Sequence, residues 1–259
     1  MTLSALEEKI YARQILIPEW GLKAQKRLKS AEVFIAGAGG LGSPASIYLT
    51  VAGVGHLVVC DFDSPDWTNL NRQILHDPSR IGVNKALSAR KTLERLNAHV
   101  RISDISEKIT AESVDRLVGE AEVIVDCMDN FETRYVLNDC AIRKHIPLAH
   151  GSIRGMEGRL TFLWPPETPC LRCLIPEAPP REVFPVIGAA PGVIGTLQAL
   201  EVLKYLAGVG KTLMNRLLVW DGEYAEFQTL NIRRDPACPA CGPLHLKQAA
   251  PAPTRTAVR

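Results

Sequence analysis

The amino-acid sequence predicts an α/β protein with a doubly wound, mostly parallel sheet, extended at one side by antiparallel strands. Three observations carry that prediction. A strand-like apolar run at residues 32–36 ends in glycines and opens directly into a helical segment at 43–52. Strand and helix patterns then alternate as far as residue 153, the order expected of β-α-β units in a parallel sheet. From Gly158 that spacing is lost, and strand patterns at 158–164, 217–220 and 224–232 read as antiparallel additions.

The 259 residues suit one large domain over 1–242, with a helical arm at 1–30, a crossover loop at 177–192 and a tail at 243–259 predicted to be disordered. A net charge of +2 gives no case for nucleic acid or a membrane as the main partner. No apolar run reaches bilayer-spanning length, and the first residues show no basic segment followed by an apolar one, so a cytoplasmic location is expected. Disulfides are rare there, and the seven cysteines are therefore read as metal ligands, reactive thiols or core residues.

In chain order, Leu3, Leu6, Ile10 and Ile15 mark one helix over 3–16, with Ser4 ahead of Glu7 and Glu8 as its cap. Arg13 within it reads, by itself, as a solvated helix charge. Gly37, Gly39 and Gly42 fit G-x-G-x-x-G, with Gly40 inside the turn; such a turn lets backbone approach a phosphate at a helix start. That makes the sheet Rossmann-like. The strand at 55–63 ends in Asp61 and Asp63. Asp61 lies 19 residues past Gly42, where such folds place an acid on a ribose hydroxyl, although a plain turn residue would fit as well.

The segment 67–73, with Thr68, Asn69, Leu70, Asn71 and Arg72, has no periodicity, and Lys85 stands near the start of a helix over 84–97. A third strand is expected at 100–105, a helix at 111–117, and a fourth strand at 123–130 whose carboxyl end presents Asp129 and Asn130. A helix at 131–144 and a fifth strand at 146–153 follow. Five prolines between Pro176 and Pro191 argue against regular structure in the crossover loop, and a last helix is expected over 193–207.

Cys170 and Cys173 form one C-x-x-C knuckle and Cys238 and Cys241 a second, 64 residues apart. Two knuckles complete a tetrahedral sulfur site with no open position, so the expectation is a structural zinc, with a redox dithiol as the alternative. Cys60, Cys127 and Cys140 are most simply core residues.

The glycine turn, Asp61-Phe62-Asp63, Asn69-Leu70-Asn71-Arg72-Gln73, Lys85, Cys127-Met128-Asp129-Asn130 and the two knuckles together resemble, in order and spacing, the MoeB/ThiF/HesA adenylyltransferases, relatives of the adenylation domain of ubiquitin-activating enzymes. The resemblance covers residues 5–242, including Tyr11-Ala12-Arg13-Gln14 and the segment 192–201. It implies that ATP binds at the glycine turn. The C-terminal carboxylate of a small ubiquitin-like sulfur carrier protein ending in Gly-Gly then attacks the α-phosphate, giving an acyl-adenylate and pyrophosphate on the way to a thiocarboxylate. By the same resemblance Arg72 and Lys85 clamp phosphates and Asp129 holds Mg²⁺ beside Asn130. Asp61 takes the ribose hydroxyls, and Asp63 with 68–71 completes the nucleotide site. Arg13 reaches into the partner subunit's site, which implies a homodimer.

One departure stands out. Several members of the family carry a cysteine in the crossover loop, whereas here 177–192 contains none, so sulfur is expected from a separate donor protein or from sulfide. An NAD-dependent dehydrogenase explains the glycines and Asp61 but not Arg72, Lys85 and Asp129. A dehydratase activating a tRNA-linked carboxylate, and a non-catalytic carrier-binding module, are the other readings.

Overall fold

A computed structural model describes residues 2–180 and 185–242. Residues 181–184 of the crossover loop and the tail at 243–259 lie outside the described residues. Eight strands, β1 (Glu32–Ala36), β2 (His56–Cys60), β3 (Arg101–Ile105), β4 (Val123–Asp126), β5 (Leu148–Arg154), β6 (Glu157–Leu163), β7 (Arg216–Asp221) and β8 (Glu226–Asn231), form one sheet in the order β3-β2-β1-β4-β5-β6-β7-β8. The first five pair in parallel and the last three are added antiparallel, as the change of pattern at Gly158 predicts. Strand order reverses between β1 and β4, so a crevice opens beyond their carboxyl ends, where open α/β sheets hold ligands.

The helices are α1 (Ala5–Ile10), α2 (Ala12–Ile15), α3 (Gly21–Ser30), α4 (Gly42–Ala52), α5 (Lys85–Leu96), α6 (Val114–Val118), α7 (Phe131–Lys144), α8 (Leu171–Leu174) and α9 (Ala189–Ala207). Successive strand residues point to opposite faces. Val33, Ile35, Leu57 and Val59 pack with Leu49, Leu93 and Val202 of α4, α5 and α9. Phe34, Ala36, Val58 and Cys60 pack on the other face with Val114 and Leu137 of α6 and α7. Both faces are covered, which is why these strands are apolar throughout rather than alternating.

Four boundaries differ from expectation, each for a local reason. The helix expected over 3–16 is two, because Tyr11 breaks it (φ −92°, ψ 8°) and sinks its ring against Gly53, its hydroxyl accepting from Asn97 Nδ2 at 2.8 Å. The arm also gains α3, which packs under α9. The strand expected over 123–130 stops at Asp126, whose Oδ1 accepts from the Met128 N–H and turns the chain away from the sheet. Finally, α9 starts at Ala189 rather than 193 and shortens the crossover loop; Pro191 is tolerated because first-turn N–H groups have no partner within the helix.

The arm is fastened by a buried ion pair, Lys29 Nζ to Glu7 Oε2 at 2.6 Å, inside the capping box that Ser4 makes with Glu7. Burial works against the charge of Glu7, yet the bonds from Lys29 and from Ser4 outweigh it and bring its carboxyl down to about 2. Its folded value is below the ordinary 4.5, so the stabilisation is complete above that pH and is lost as pH falls toward 2. Glu7→Gln should therefore lower unfolding free energy at neutral pH, with the gap to the parent protein closing between pH 4.5 and 2. Urea unfolding at a series of pH values measures this; a gap that persists unchanged at low pH contradicts it.

Candidate active site

The site is built on the turn between β1 and α4. Gly37 has φ +96°, a conformation that side chains rarely adopt, and a Cβ at Gly42 would stand 1.9 Å from the Gly37 carbonyl oxygen. Neither position admits another residue without moving the turn. The turn thereby sets the positive end of α4 at the crevice, with the Ser43 N–H taken by the Gly39 carbonyl at 2.9 Å and none at Pro44. At Gly40 a Cβ would meet Pro191 of α9 at 3.2 Å and Arg72 at 3.5 Å, so the crossover helix and the 67–73 segment close over the same turn.

Asp61 follows β2 directly. Its Oδ2 accepts from the Ala38 N–H at 2.8 Å and its Oδ1 from the Asp63 N–H at 2.9 Å. Burial nonetheless pushes its carboxyl above the usual range, against those bonds and the pull of Lys85. Asn84 caps α5 and donates through Nδ2 to the Asp61 and Asp63 carbonyls, which brings Lys85 beside them. Lys85 is buried, its Nζ 3.6 Å from Asp63 Oδ2. Arg72 is partly exposed and folds back, its Nη1 donating to Thr68 O at 2.9 Å and Asn71 Oδ1 at 3.0 Å.

Beyond β4, Asp129 projects into solvent with one weak protein partner among the described residues, Asn130 Nδ2 at 3.4 Å, while Asn130 caps α7 through the Thr133 N–H. These groups line a cleft of about 540 Å³, with Gly37, Gly39 and Gly40 as its floor, Asp61, Asp63 and Lys85 on one wall, Arg72 above and Asp129 opposite. The arrangement suits a polyanion: cations, the positive end of a helix and an unpaired carboxylate for a metal ion.

A profile of the ThiF family matches residues 11–240. The chain belongs to the ThiF family. Among its relatives, the sulfur carrier protein adenylyltransferase of Thermus thermophilus is 40% identical over 90% of this chain and 90% of its own length. The SAMP-activating enzyme E1 of Haloferax volcanii is 41% identical over 93% of this chain and 92% of its own. The adenylyltransferase and sulfurtransferase MOCS3 of Culex quinquefasciatus is 42% identical over 89% of this chain but only 54% of its own length, so the chain spans about half of that protein. The solved structure of E. coli MccB with ATP shares the fold, with a TM-score of 0.81 over 92% of this chain and 75% of that one at 24% identity.

Within this ThiF-family fold, not every residue singled out in the sequence meets at the cleft. Thr68, Asn69, Leu70 and Asn71 do not line it; they form the capped turn that carries Arg72, and Gly188 packs against the Asn71 carbonyl. Arg13 is exposed on α2, next to Gln14, whose side chain donates to Ala52 O at the far end of α4. Eleven helical residues span roughly 16 Å, so Arg13 lies at the rim opposite its own cleft. Conversely, Gln73, Met128, Arg134 and Pro191 line the cleft without having been anticipated. Arg134 was detectable in principle: a cation in the first turn of α7 opposes the helix dipole and asks for another reason to be there.

The ThiF-family chain also brings its two knuckles together. The Cys170, Cys173, Cys238 and Cys241 sulfurs lie within 4.8 Å of one another, with contacts of 3.9, 3.6 and 3.4 Å and no disulfide. Tetrahedral zinc at about 2.3 Å from each thiolate needs sulfurs roughly 3.8 Å apart, so the quartet can hold zinc. The other thiols are poor nucleophiles. Burial pushes Cys60 and Cys140 up to about 12. Burial and the neighbouring Asp126 raise Cys127, the one thiol of these three that borders the cleft.

Two measurements follow from this geometry. Gly42→Ala should destabilise by about 1–3 kcal/mol through overpacking against the Gly37 carbonyl and abolish nucleotide binding, read by chemical denaturation and by titration calorimetry. Metal analysis should find one zinc per chain, and Cys238→Ser should lose it together with several degrees of thermal midpoint; a metal-free parent protein of equal stability contradicts that role.

Proposed function

We propose that this chain is an ATP-dependent adenylyltransferase acting on the C-terminal Gly-Gly carboxylate of a small ubiquitin-like sulfur carrier protein. The observation that supports this most is the cleft itself. One glycine turn, a buried lysine, a partly exposed arginine and an exposed aspartate surround the space where a triphosphate would lie at the start of α4. A relative named as a sulfur carrier protein adenylyltransferase, matched over 90% of its own length, supplies the substrate class.

The chemistry joins two anions at phosphorus. A carboxylate oxygen of the carrier's last glycine attacks the α-phosphorus, the bond to the bridging oxygen breaks, and pyrophosphate departs with that oxygen. The protein supplies no covalent partner, so catalysis rests on alignment and charge neutralisation. Lys85, low in the cleft, meets the phosphate nearest the helix start. Arg72, held by a carbonyl and an amide oxygen, swings over to the outer phosphates. Asp129 would hold Mg²⁺, a carboxylate oxygen ligand of the kind the ion takes, and the ion would neutralise phosphate charge. Asp61 takes the ribose hydroxyls, its carboxylate already oriented by two N–H groups.

Arg13 cannot serve its own cleft, so in this reading it completes the site of a second copy, and the enzyme is a homodimer with composite sites. Leu6, Leu16 and Ile17 on the same arm are exposed and apolar, as a surface covered by a partner would be. Zinc ties α8 to the segment at 238–241 and remains structural. With no cysteine in the crossover loop and Cys127 held as a thiol, the acyl-adenylate leaves for a separate sulfur donor protein or sulfide.

ATP–pyrophosphate exchange against a panel of Gly-Gly-ended carriers tests the activity. Arg72→Ala and Asp129→Ala should each slow it on the order of 10²-fold or more; wild-type rates in both overturn the assignments. Arg13→Ala alone should lose activity, and mixing it with Asp129→Ala chains should restore roughly a quarter of parental sites; a fully active Arg13→Ala chain means that the site is not shared between subunits. Mass spectrometry after reaction should find no covalent enzyme–carrier adduct.

A further inference from the structure

Beneath the cleft lies a buried charged cluster that the reaction described above does not use. Asp126, at the end of β4, is fully buried, and His150 and Arg134 beside it are nearly so. Its Oδ2 lies 2.6 Å from His150 Nδ1 and 3.9 Å from Arg134 Nε. Unpaired buried charges are costly, and a cluster this complete needs a purpose beyond filling space.

Its contacts converge on the backbone of a single residue, Met128, through the peptide on each side of it. The Met128 N–H donates to Asp126 Oδ1 at 3.1 Å, and the Met128 carbonyl accepts from Arg134 Nη2 at 2.6 Å and Nε at 3.1 Å. Arg134 Nη2 also donates to Gly151 O on β5 at 3.3 Å, which ties the turn to the sheet. Asp129 is the next residue, and among the described residues its carboxylate has only the 3.4 Å contact from Asn130. The direction of that carboxylate is therefore set by its backbone, and its backbone is clamped at Met128 from both sides.

We propose that Arg134 and Asp126 are positioning residues for the adenylation site: they fix the Met128 backbone so that Asp129 offers its oxygen to a divalent cation bound with nucleotide. The inference rests on the adenylyltransferase reading and assigns a function to the buried pair that packing alone would not require. A planar guanidinium can serve one carbonyl with two N–H groups and a second carbonyl with another; an ammonium cannot. Arg134→Lys keeps the buried charge and loses the fork.

The test reads metal affinity apart from turnover. Mn²⁺ titration followed by electron paramagnetic resonance, in the presence of a non-hydrolysable ATP analogue, should show about tenfold weaker Mn²⁺ binding in Arg134→Lys, as loss of groups that orient a ligand usually does. Affinity for the analogue without metal should stay at the parental level. In exchange assays, Arg134→Lys should slow Arg72→Ala further but add nothing to Asp129→Ala, because its effect passes through Asp129. If Arg134→Lys does not fold, Asp126→Ala removes the acceptor of the Met128 N–H and should weaken Mn²⁺ binding in the same direction. Parental Mn²⁺ affinity in the folded variant, or losses that multiply with Asp129→Ala, overturns the positioning role alone. Absence of nucleotide-dependent Mn²⁺ binding by the parent protein overturns the adenylyltransferase reading and this inference with it.

Discussion

Everything at the site depends on one close backbone approach, the Gly37 carbonyl against the Cα of Gly42. With a side-chain carbon there the two would stand 1.9 Å apart, so the turn exists only as glycine. Its tightness puts α4 directly behind β1 and leaves the helix's positive end at the crevice where the strand order reverses. The same turn places the Ala38 N–H on Asp61, and Pro191 and Arg72 close above Gly40. Strand, helix, crossover and acid thus meet at a position that no other residue type could occupy.

Around that turn the charges are arranged to be incomplete without a ligand. Lys85 is buried with its nitrogen 3.6 Å from Asp63, a loose pairing that a phosphate can replace. Among the described residues Arg72 rests on neutral oxygens and not on a carboxylate, so moving it breaks no ion pair there. Asp129 has almost no protein partner. The short contacts lie elsewhere, at Glu7 with Lys29 and at Asp126 with His150, each 2.6 Å, where rigidity serves and exchange does not.

What the sequence made legible is whatever local spacing controls. The glycine turn, the strand-end Asp61, the helix start beside Lys85, and each C-x-x-C pair depend on neighbours a few residues away, and the structure brings each where spacing put it. The misses required knowledge of distant partners. Nothing local to Tyr11 says that its ring will find Gly53 and split the arm. Asp126 read as one more strand residue because its role as the group that ends β4 appears only in the chain's return at Met128. Proline density spoke for loop as far as Pro191, yet a helix's first turn accepts proline, and α9 began earlier. Thr68 to Asn71 have a local chemistry of their own, an aspartate-capped turn that carries Arg72.

The placement of the arm sets the last constraint. Tyr11 and Gln14 anchor it to the end of α4 farthest from the glycine turn, through the Asn97 and Ala52 contacts. The helix whose start borders the cleft therefore has Arg13 of the arm near its other end. No rotation of the Arg13 side chain, itself only a few ångströms long, covers the roughly 16 Å back along α4. Either Arg13 is a surface charge, or it acts on another copy; within one chain there is no third possibility. A catalytic cation delivered by a neighbouring subunit would make activity depend on assembly, because a lone chain would present a cleft with its floor and walls complete and one positive charge short.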